Sequence, residues 1–266
     1  MKKLFILLLI FILSLTMLAA CGEKEVGAEE SEEQQEEIQN NESNEDDEEQ
    51  LKLIGTGKTI VIDPGHQGKG NPEKEPIAPG ATEMKAKVAS GTTGRTTGVP
   101  EYQLTLDVSL KLKEALIAQG YEVLMTRETN DVNISNAERA QIANKANADA
   151  FIRIHANGSE DSSVNGTMTL CQTENNPYNG YLFKKSYALS ENILDGIVQK
   201  AGSKKQYVMK TDTMSGINWC TVPVTIVEMG YMTNPEEDQK MQSSAYQQLI
   251  VEGIVDGLNQ YFASLE

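Results

Sequence analysis

Thr59-Ile60-Val61-Ile62-Asp63-Pro64-Gly65-His66 is a run of β-branched residues that stops at Asp-Pro-Gly and then delivers a histidine. Such side chains favour a pleated strand, and a Pro-Gly pair ends one. A side chain just past that stop sits at the carboxyl edge of a sheet, where open α/β sheets bind their ligands. The second of the chain's 2 histidines repeats the arrangement. Ala150-Phe151-Ile152-Arg153-Ile154-His155-Ala156-Asn157-Gly158 is again an apolar strand that runs into a histidine and a turn. Two strands therefore bring their terminal histidines to one plausible edge.

Working outward, short apolar runs alternate with longer helical patterns, which favours a mostly parallel sheet covered on both faces. The expected strands are 59–62, 121–126, 150–155, 166–171 and 223–229. The clearest helix is 101–119, where Leu104, Val108, Leu112, Ala115 and Leu116 recur at helical spacing and Gly120 is the stop. Pro100 stands at its start, where a missing N–H costs nothing. Further helices are expected at 136–147, at 181–200 on Ala188, Leu189, Ile193 and Ile197, and from about 245 to 262. The last carries Leu249, Ile250, Ile254, Leu258 and Tyr261 on one face. The fold class is α/β: a single domain over 56–266 with a twisted, mostly parallel sheet flanked by helices on both faces. Two stretches, 67–100 and 201–219, show no sustained period and read as loops. A loop as long as the first is usually functional or mobile.

The start of the chain reads as an address. Met1-Lys2-Lys3 followed by an apolar run from Leu4 to about Leu13 has the form of an export signal and is brief for a membrane span. Leu18-Ala19-Ala20-Cys21-Gly22 resembles the lipobox of bacterial lipoproteins. That resemblance implies a signal peptide over 1–20, cleavage before Cys21, and a lipid anchor on Cys21 at the outer face of the membrane. From Glu23 to Gln50 there are 14 acidic residues against Lys24, so most of the formal charge of −16 lies there. With so little apolar surface, 21–55 is expected to be a solvated, disordered tether. Nucleic acid is excluded as a partner on this charge balance, since phosphate binding wants clustered Lys and Arg.

Two histidines alone are weak evidence of chemistry, because a lone histidine is more often a structural residue. Glu101 changes the weighing. Counting 101, 104, 108 and 112 puts it on the helix face that packs on the sheet, pointing along the sheet edge. The helix dipole also favours an acidic residue in a first turn for no further reason. Glu228 is harder to explain away: it interrupts the apolar strand Val224-Thr225-Ile226-Val227-Glu228, and a buried charge is costly unless paired or functional. Two histidines and a carboxylate are the ligand set of catalytic zinc sites, which keep a fourth position open for water. A second carboxylate that is not a ligand then carries the proton.

These blocks resemble the zinc-dependent N-acetylmuramoyl-L-alanine amidases of the amidase-3 type. Ile60 to His66 is similar to the family's opening block, and Glu101 at a helix head followed by Val123-Leu124-Met125-Thr126-Arg127 to its second. Glu138-Arg139-Ala140 through Ile154-His155-Ala156-Asn157 resembles the third, and Pro223 through Glu228-Met229-Gly230-Tyr231-Met232-Thr233-Asn234 the fourth. The resemblance implies that His66, Glu101 and His155 bind Zn²⁺, that Glu228 is the catalytic base, and that peptidoglycan is the substrate. The bond implied is the amide between N-acetylmuramic acid and the L-alanine of the stem peptide. Arg127 is expected to be a structural ion-pair partner.

The family reaches its zinc glutamate sooner after the first histidine than this chain does. The stretch 67–100 therefore leaves Glu73, Glu75 and Glu83 as rivals to Glu101. Trp219 and Tyr231 are candidates either for substrate contact or for core. Cys171 and Cys220 either pair, as export permits, or stay as buried thiols. Other functions remain in view: a zinc peptidase acting on peptidoglycan cross-links, or a tethered non-catalytic wall-binding lipoprotein. Whether a protein activator is needed is left open.

Overall fold

The computed structural model describes residues 55–265. The expectations for the export signal, for Cys21 and for all but the last residue of the tether lie outside the described residues. No helix among the described residues is long and apolar enough to cross a membrane.

A six-stranded sheet runs in the order β4-β1-β5-β8-β6-β7. Its strands are β1 (Thr59–Pro64), β4 (Glu122–Met125), β5 (Ala150–Asn157), β6 (Thr167–Cys171), β7 (Lys205–Lys210) and β8 (Val224–Tyr231). β4, β1, β5 and β8 are mutually parallel, while β6 pairs antiparallel with β8 and parallel with β7. Helices cover both faces. On one lie α1 (Glu101–Ala118), α3 (Phe183–Ala201) and α6 (Ser244–Ala263), packed over Ile60, Ile62, Ile152 and Ile154. The other face holds Val61, Phe151 and Ile226 under Ala140 and Ala143 of α2 (Asn136–Lys145) and Ile217 of α4 (Ser215–Asn218). A short α5 (Pro235–Gln242) follows β8.

The five expected strands and four expected helices form close to where the sequence put them. Both expected loops, however, contain structure. Within 67–100 lies an antiparallel hairpin, β2 (Asn71–Pro76) and β3 (Met84–Val88). β2 alternates poorly and is mostly exposed, so it carries no apolar period to read. Within 201–219 lie the edge strand β7 and α4. β7 exposes Lys205, Tyr207 and Lys210, a charged edge that discourages further pairing. Leu249, expected in the core stripe of α6, is instead exposed at 38% because the helix turns that position to its margin.

Local signals fix several of these boundaries. Ser135 caps α2 through a reciprocal bond with Glu138, worth about 1 kcal/mol. Gly202 ends α3 in the left-handed conformation. α3 and α6 meet backbone to backbone, since a Cβ on Gly196 would stand 2.1 Å from the Gly253 carbonyl. No side-chain rotation relieves that clash. Gly196→Ala is therefore expected to cost roughly 1–3 kcal/mol, an overpacking penalty, lowering Tm by about 2–12 °C for a domain of this size. Thermal denaturation by circular dichroism checks this, and an unchanged Tm would mean that the two helices do not pack this closely.

Candidate metal site and cleft

The end of β1 is built around a buried carboxylate. Asp63 is fully buried and accepts hydrogen bonds from the Thr126 hydroxyl, from Arg139 Nη1 at 2.6 Å and from Arg153 Nε at 2.8 Å. Burial opposes its ionisation most strongly, but the two guanidinium charges and the hydrogen bonds together hold the carboxyl well below the usual range. Arg139 also donates to the carbonyls of Pro64 and His66, and Arg127 to those of Pro64 and Gly65. Arg127 was expected to pair with an acid; it instead clamps carbonyl oxygens of this turn. The turn delivers His66 at φ 61°, a left-handed conformation that costs a non-glycine residue about 1–2 kcal/mol. Gly65 is required beside it, since a Cβ there would fall 2.4 Å from the His155 ring.

Three expected side chains then meet. Glu101, the first residue of α1, places Oε1 3.1 Å from His66 Nε2 and 3.1 Å from His155 Nδ1. The backbone N–H of Ala156 donates to Oε1 at 3.1 Å, and that of Thr92 donates to Oε2 at 2.9 Å. The carboxyl is held well below its ordinary range: burial opposes this most strongly, and its interactions with His155 and then His66 outweigh it. Burial pushes His155 down to about 4, with the Glu101 bond opposing. His66 Nδ1 lies 2.8 Å from the Ala89 carbonyl, which can only accept, so Nδ1 carries the proton. In the neutral ring, Nε2 then turns a lone pair toward an anionic oxygen. His155 Nε2 is buried with no partner. Converging lone pairs and an orphaned ring nitrogen suit a cation better than vacuum or water. The donor atoms of the three residues lie within 4.8 Å of one another, an arrangement that could bind a metal ion.

Glu228 lies opposite His155 in the register of β5 and β8. It shares with His66, His155, Arg153, Ala89 and Met214 the lining of a cleft of about 250 Å³. Its Oε2 is buried without a hydrogen-bond partner. Burial, then the negative charge of Glu101, push its pKa up to about 8, with Arg153 opposing. A carboxyl that titrates near neutrality both takes up and gives back a proton at working pH.

The rival acids lie elsewhere. Glu73 is exposed and pairs with Lys87, Glu75 accepts the Ala137 N–H, and Glu83 is exposed. Trp219 donates to the Pro76 carbonyl and Tyr231 is buried, so neither lines the cleft. Cys171 and Cys220 are free, buried thiols, with burial pushing them up to about 11 and about 12 respectively. Sequence reasoning missed the backbone of Ala89 and Thr92, which orients two of the three clustered side chains, because backbone donors and acceptors leave no residue signature. It also passed over Arg153, although a charge inside an apolar strand was the same signal that singled out Glu228.

An α/β sheet that carries a His/Glu/His cluster at its carboxyl edge, with a buried carboxylate across the cleft, defines the class of a hydrolase with a candidate metal centre. The match to known families makes this specific. Residues 60–260 match the family model of the N-acetylmuramoyl-L-alanine amidases, and the chain belongs to that family. It is 29% identical over 208 residues to the probable cell wall amidase LytH of Staphylococcus epidermidis, covering 78% of this chain and 60% of LytH. It is 30% identical over 213 residues to the N-acetylmuramoyl-L-alanine amidase LytC of Bacillus subtilis, covering 80% of this chain and 37% of LytC. The chain thus spans less than two thirds of these relatives. Among solved structures, the amidase Ami1 of Mycobacterium smegmatis superposes with a TM-score of 0.71 at 26% identity, over 79% of this chain and 99% of that one.

The buried carboxyl has a consequence for stability. Because Glu228 binds its proton more tightly folded than unfolded, it makes the metal-free protein less stable as pH rises from about 4.5 toward about 8. His155, with its pKa pushed down, acts oppositely and removes stability as pH falls from about 6.5 toward about 4. Urea unfolding of the metal-free protein between pH 5 and pH 8, beside Glu228→Gln, separates the two. The variant is expected to lose the alkaline decline while keeping the acid one, and an unchanged decline would assign it to other groups.

Proposed function

We propose that this chain is a zinc-dependent N-acetylmuramoyl-L-alanine amidase that hydrolyses the amide between N-acetylmuramic acid and the L-alanine of the peptidoglycan stem peptide. The observation that carries this reading is the convergence of His66, Glu101 and His155 at a cleft that the two histidines line together with Glu228, in a chain of this family. Imidazole and carboxylate donors suit zinc. Glu101 Oε1 and His66 Nε2 stand 3.1 Å apart, so one ion would reach both. His66, Glu101 and His155 would hold the ion. When bound, Zn²⁺ polarises the scissile carbonyl and supplies a nucleophile at neutral pH.

The protein's own groups do the rest. Ala89 fixes the tautomer of His66, and the N–H groups of Thr92 and Ala156 hold Glu101 in place, so the donor set is preorganised. Glu228 takes the proton from the attacking water and returns it to the departing amine. That amine leaves as the free N-terminus of the stem peptide, and the lactyl carboxylate stays with the glycan.

The proposed arrangement of the whole chain is a signal peptide over 1–20, lipid on Cys21, an acidic spacer over 21–55 and the catalytic domain over 56–266. That places hydrolysis at the outer face of the cell membrane, with the wall as substrate and the lipid as the membrane contact.

About one zinc per chain is expected in the purified protein and a large loss in His66→Ala, Glu101→Ala and His155→Ala. Glu228→Gln should keep its zinc and lose roughly 10²–10⁴-fold in release of stem peptides from purified peptidoglycan. Mass analysis of the products discriminates the alternatives: free stem peptides mean an amidase, cut cross-links a peptidase, and no cleavage with retained wall binding a tethered binding protein. Cys21→Ala should abolish incorporation of labelled fatty acid and shift the protein out of the membrane fraction. Unaltered labelling would remove the anchor from this account.

A further inference from the structure

Three guanidinium groups, those of Arg127, Arg139 and Arg153, are buried near the end of β1, and Asp63 is the one carboxylate that forms ion pairs with them among the described residues. Asp63 shares its two oxygens between Arg139 and Arg153, while Arg127 donates only to carbonyl and side-chain amide or hydroxyl oxygens. Buried charge is normally paired, and here three guanidinium groups share one carboxylate within ion-pair distance, with Glu228 in the same cleft but making no ion pair with them.

One of the three faces the cleft. Arg153 is 4% exposed, and its Nε and Nη2 are taken by Asp63 and by the side-chain oxygen of Asn136. Nη1 donates to no acceptor among the described residues, yet is not among the fully buried unpartnered atoms. It rests against Gly216 of α4, and both residues line the cleft with Asn136, Ile226, His155 and Glu228. Arg153 precedes His155 by two positions on β5, so both project from the same face of the strand. That spacing sets the two Cα atoms roughly 6–7 Å apart along the strand. In an extended peptide, a similar span separates a scissile amide from a substituent on the next residue.

Resting on the amidase reading, we propose that the free edge of Arg153 anchors a carboxylate of the stem peptide, on the residue after the alanine, and so makes this enzyme prefer stems with a free acid there over stems with a carboxamide. A guanidinium already held by Asp63 and Asn136 loses little freedom on binding, and it presents a donor that a neutral amide answers only weakly. The same anchor positions the scissile amide at the end of β5 beside Glu228.

Muramoyl tetrapeptides that differ only in carboxylate or carboxamide on the second residue test this. The free acid is expected to have a kcat/KM roughly 10- to 100-fold higher, carried mainly by KM. Arg153→Lys keeps a cation beside Asp63 and should shrink that preference several-fold. Equilibrium binding of both compounds to Glu228→Gln gives a readout independent of turnover, with the same ratio expected. Equal KM and equal affinity for the two compounds would overturn the anchor while leaving the amidase reading intact. If neither compound is cleaved, the amidase reading fails, and the binding ratio still decides whether Arg153 selects a carboxylate. A drop in kcat of Arg153→Lys that is identical for both substrates would assign the residue to supporting Glu228 instead.

Discussion

Everything at the functional edge of this molecule hangs on Asp63. Its carboxylate has no solvent, so its charge is tolerable only because Arg139 and Arg153 bind one oxygen each. Breaking such a pair from one side strands the remaining charge, which is why buried networks of this kind cost about 3–5 kcal/mol to interrupt. Arg139, recruited from α2, then uses its remaining donors to hold the carbonyls of Pro64 and His66. One ion-pair network thereby ties α2 to β1 and sets the left-handed turn that aims His66.

The same low-dielectric surroundings drive the two important glutamates apart. Glu101 receives two backbone N–H donors and faces two imidazoles, so it stays ionised. Glu228 is buried with one oxygen unsatisfied, and burial together with the negative charge of Glu101 pushes it toward neutrality. Two identical side chains a short distance apart are thus suited to opposite tasks, holding a cation and shuttling a proton. Environment alone separates them.

The stretch 67–100 is the chain's own contribution to this edge. Its hairpin buries only a few apolar side chains, Ile77, Ala78 and Val88, but it is tied down at several points: Asn136 donates to the Lys87 carbonyl, Lys85 to the Thr213 carbonyl and Trp219 to the Pro76 carbonyl. The segment that follows brings Ala89 to His66 and Thr92 to Glu101. A stretch that reads in sequence as a detour between two clustered residues is what positions both of them, and it forms one wall of the cleft through Val88 and Ala89.

The sequence by itself determined the parallel core, because β-branched runs and helical stripes are local patterns whose period survives in one dimension. It also marked His66, His155 and Glu228, since a polar residue ending or interrupting an apolar strand is visible wherever the strand goes. Glu101 was legible only as the head of a periodic helix, with three rival acids left standing. The tertiary structure decided what depends on long-range placement. The hairpin and β7 carry no apolar period because their stability comes from pairing rather than burial. Arg127 turned out to clamp carbonyls, Cys171 and Cys220 stayed apart as thiols, and Glu75 went to the start of α2. The free edge of Arg153 emerged only once Asp63 and Asn136, 90 and 17 residues away, had claimed the rest of its guanidinium. Hydrogen-bond satisfaction is a property of neighbours in space, and no reading of neighbours along the chain contains it.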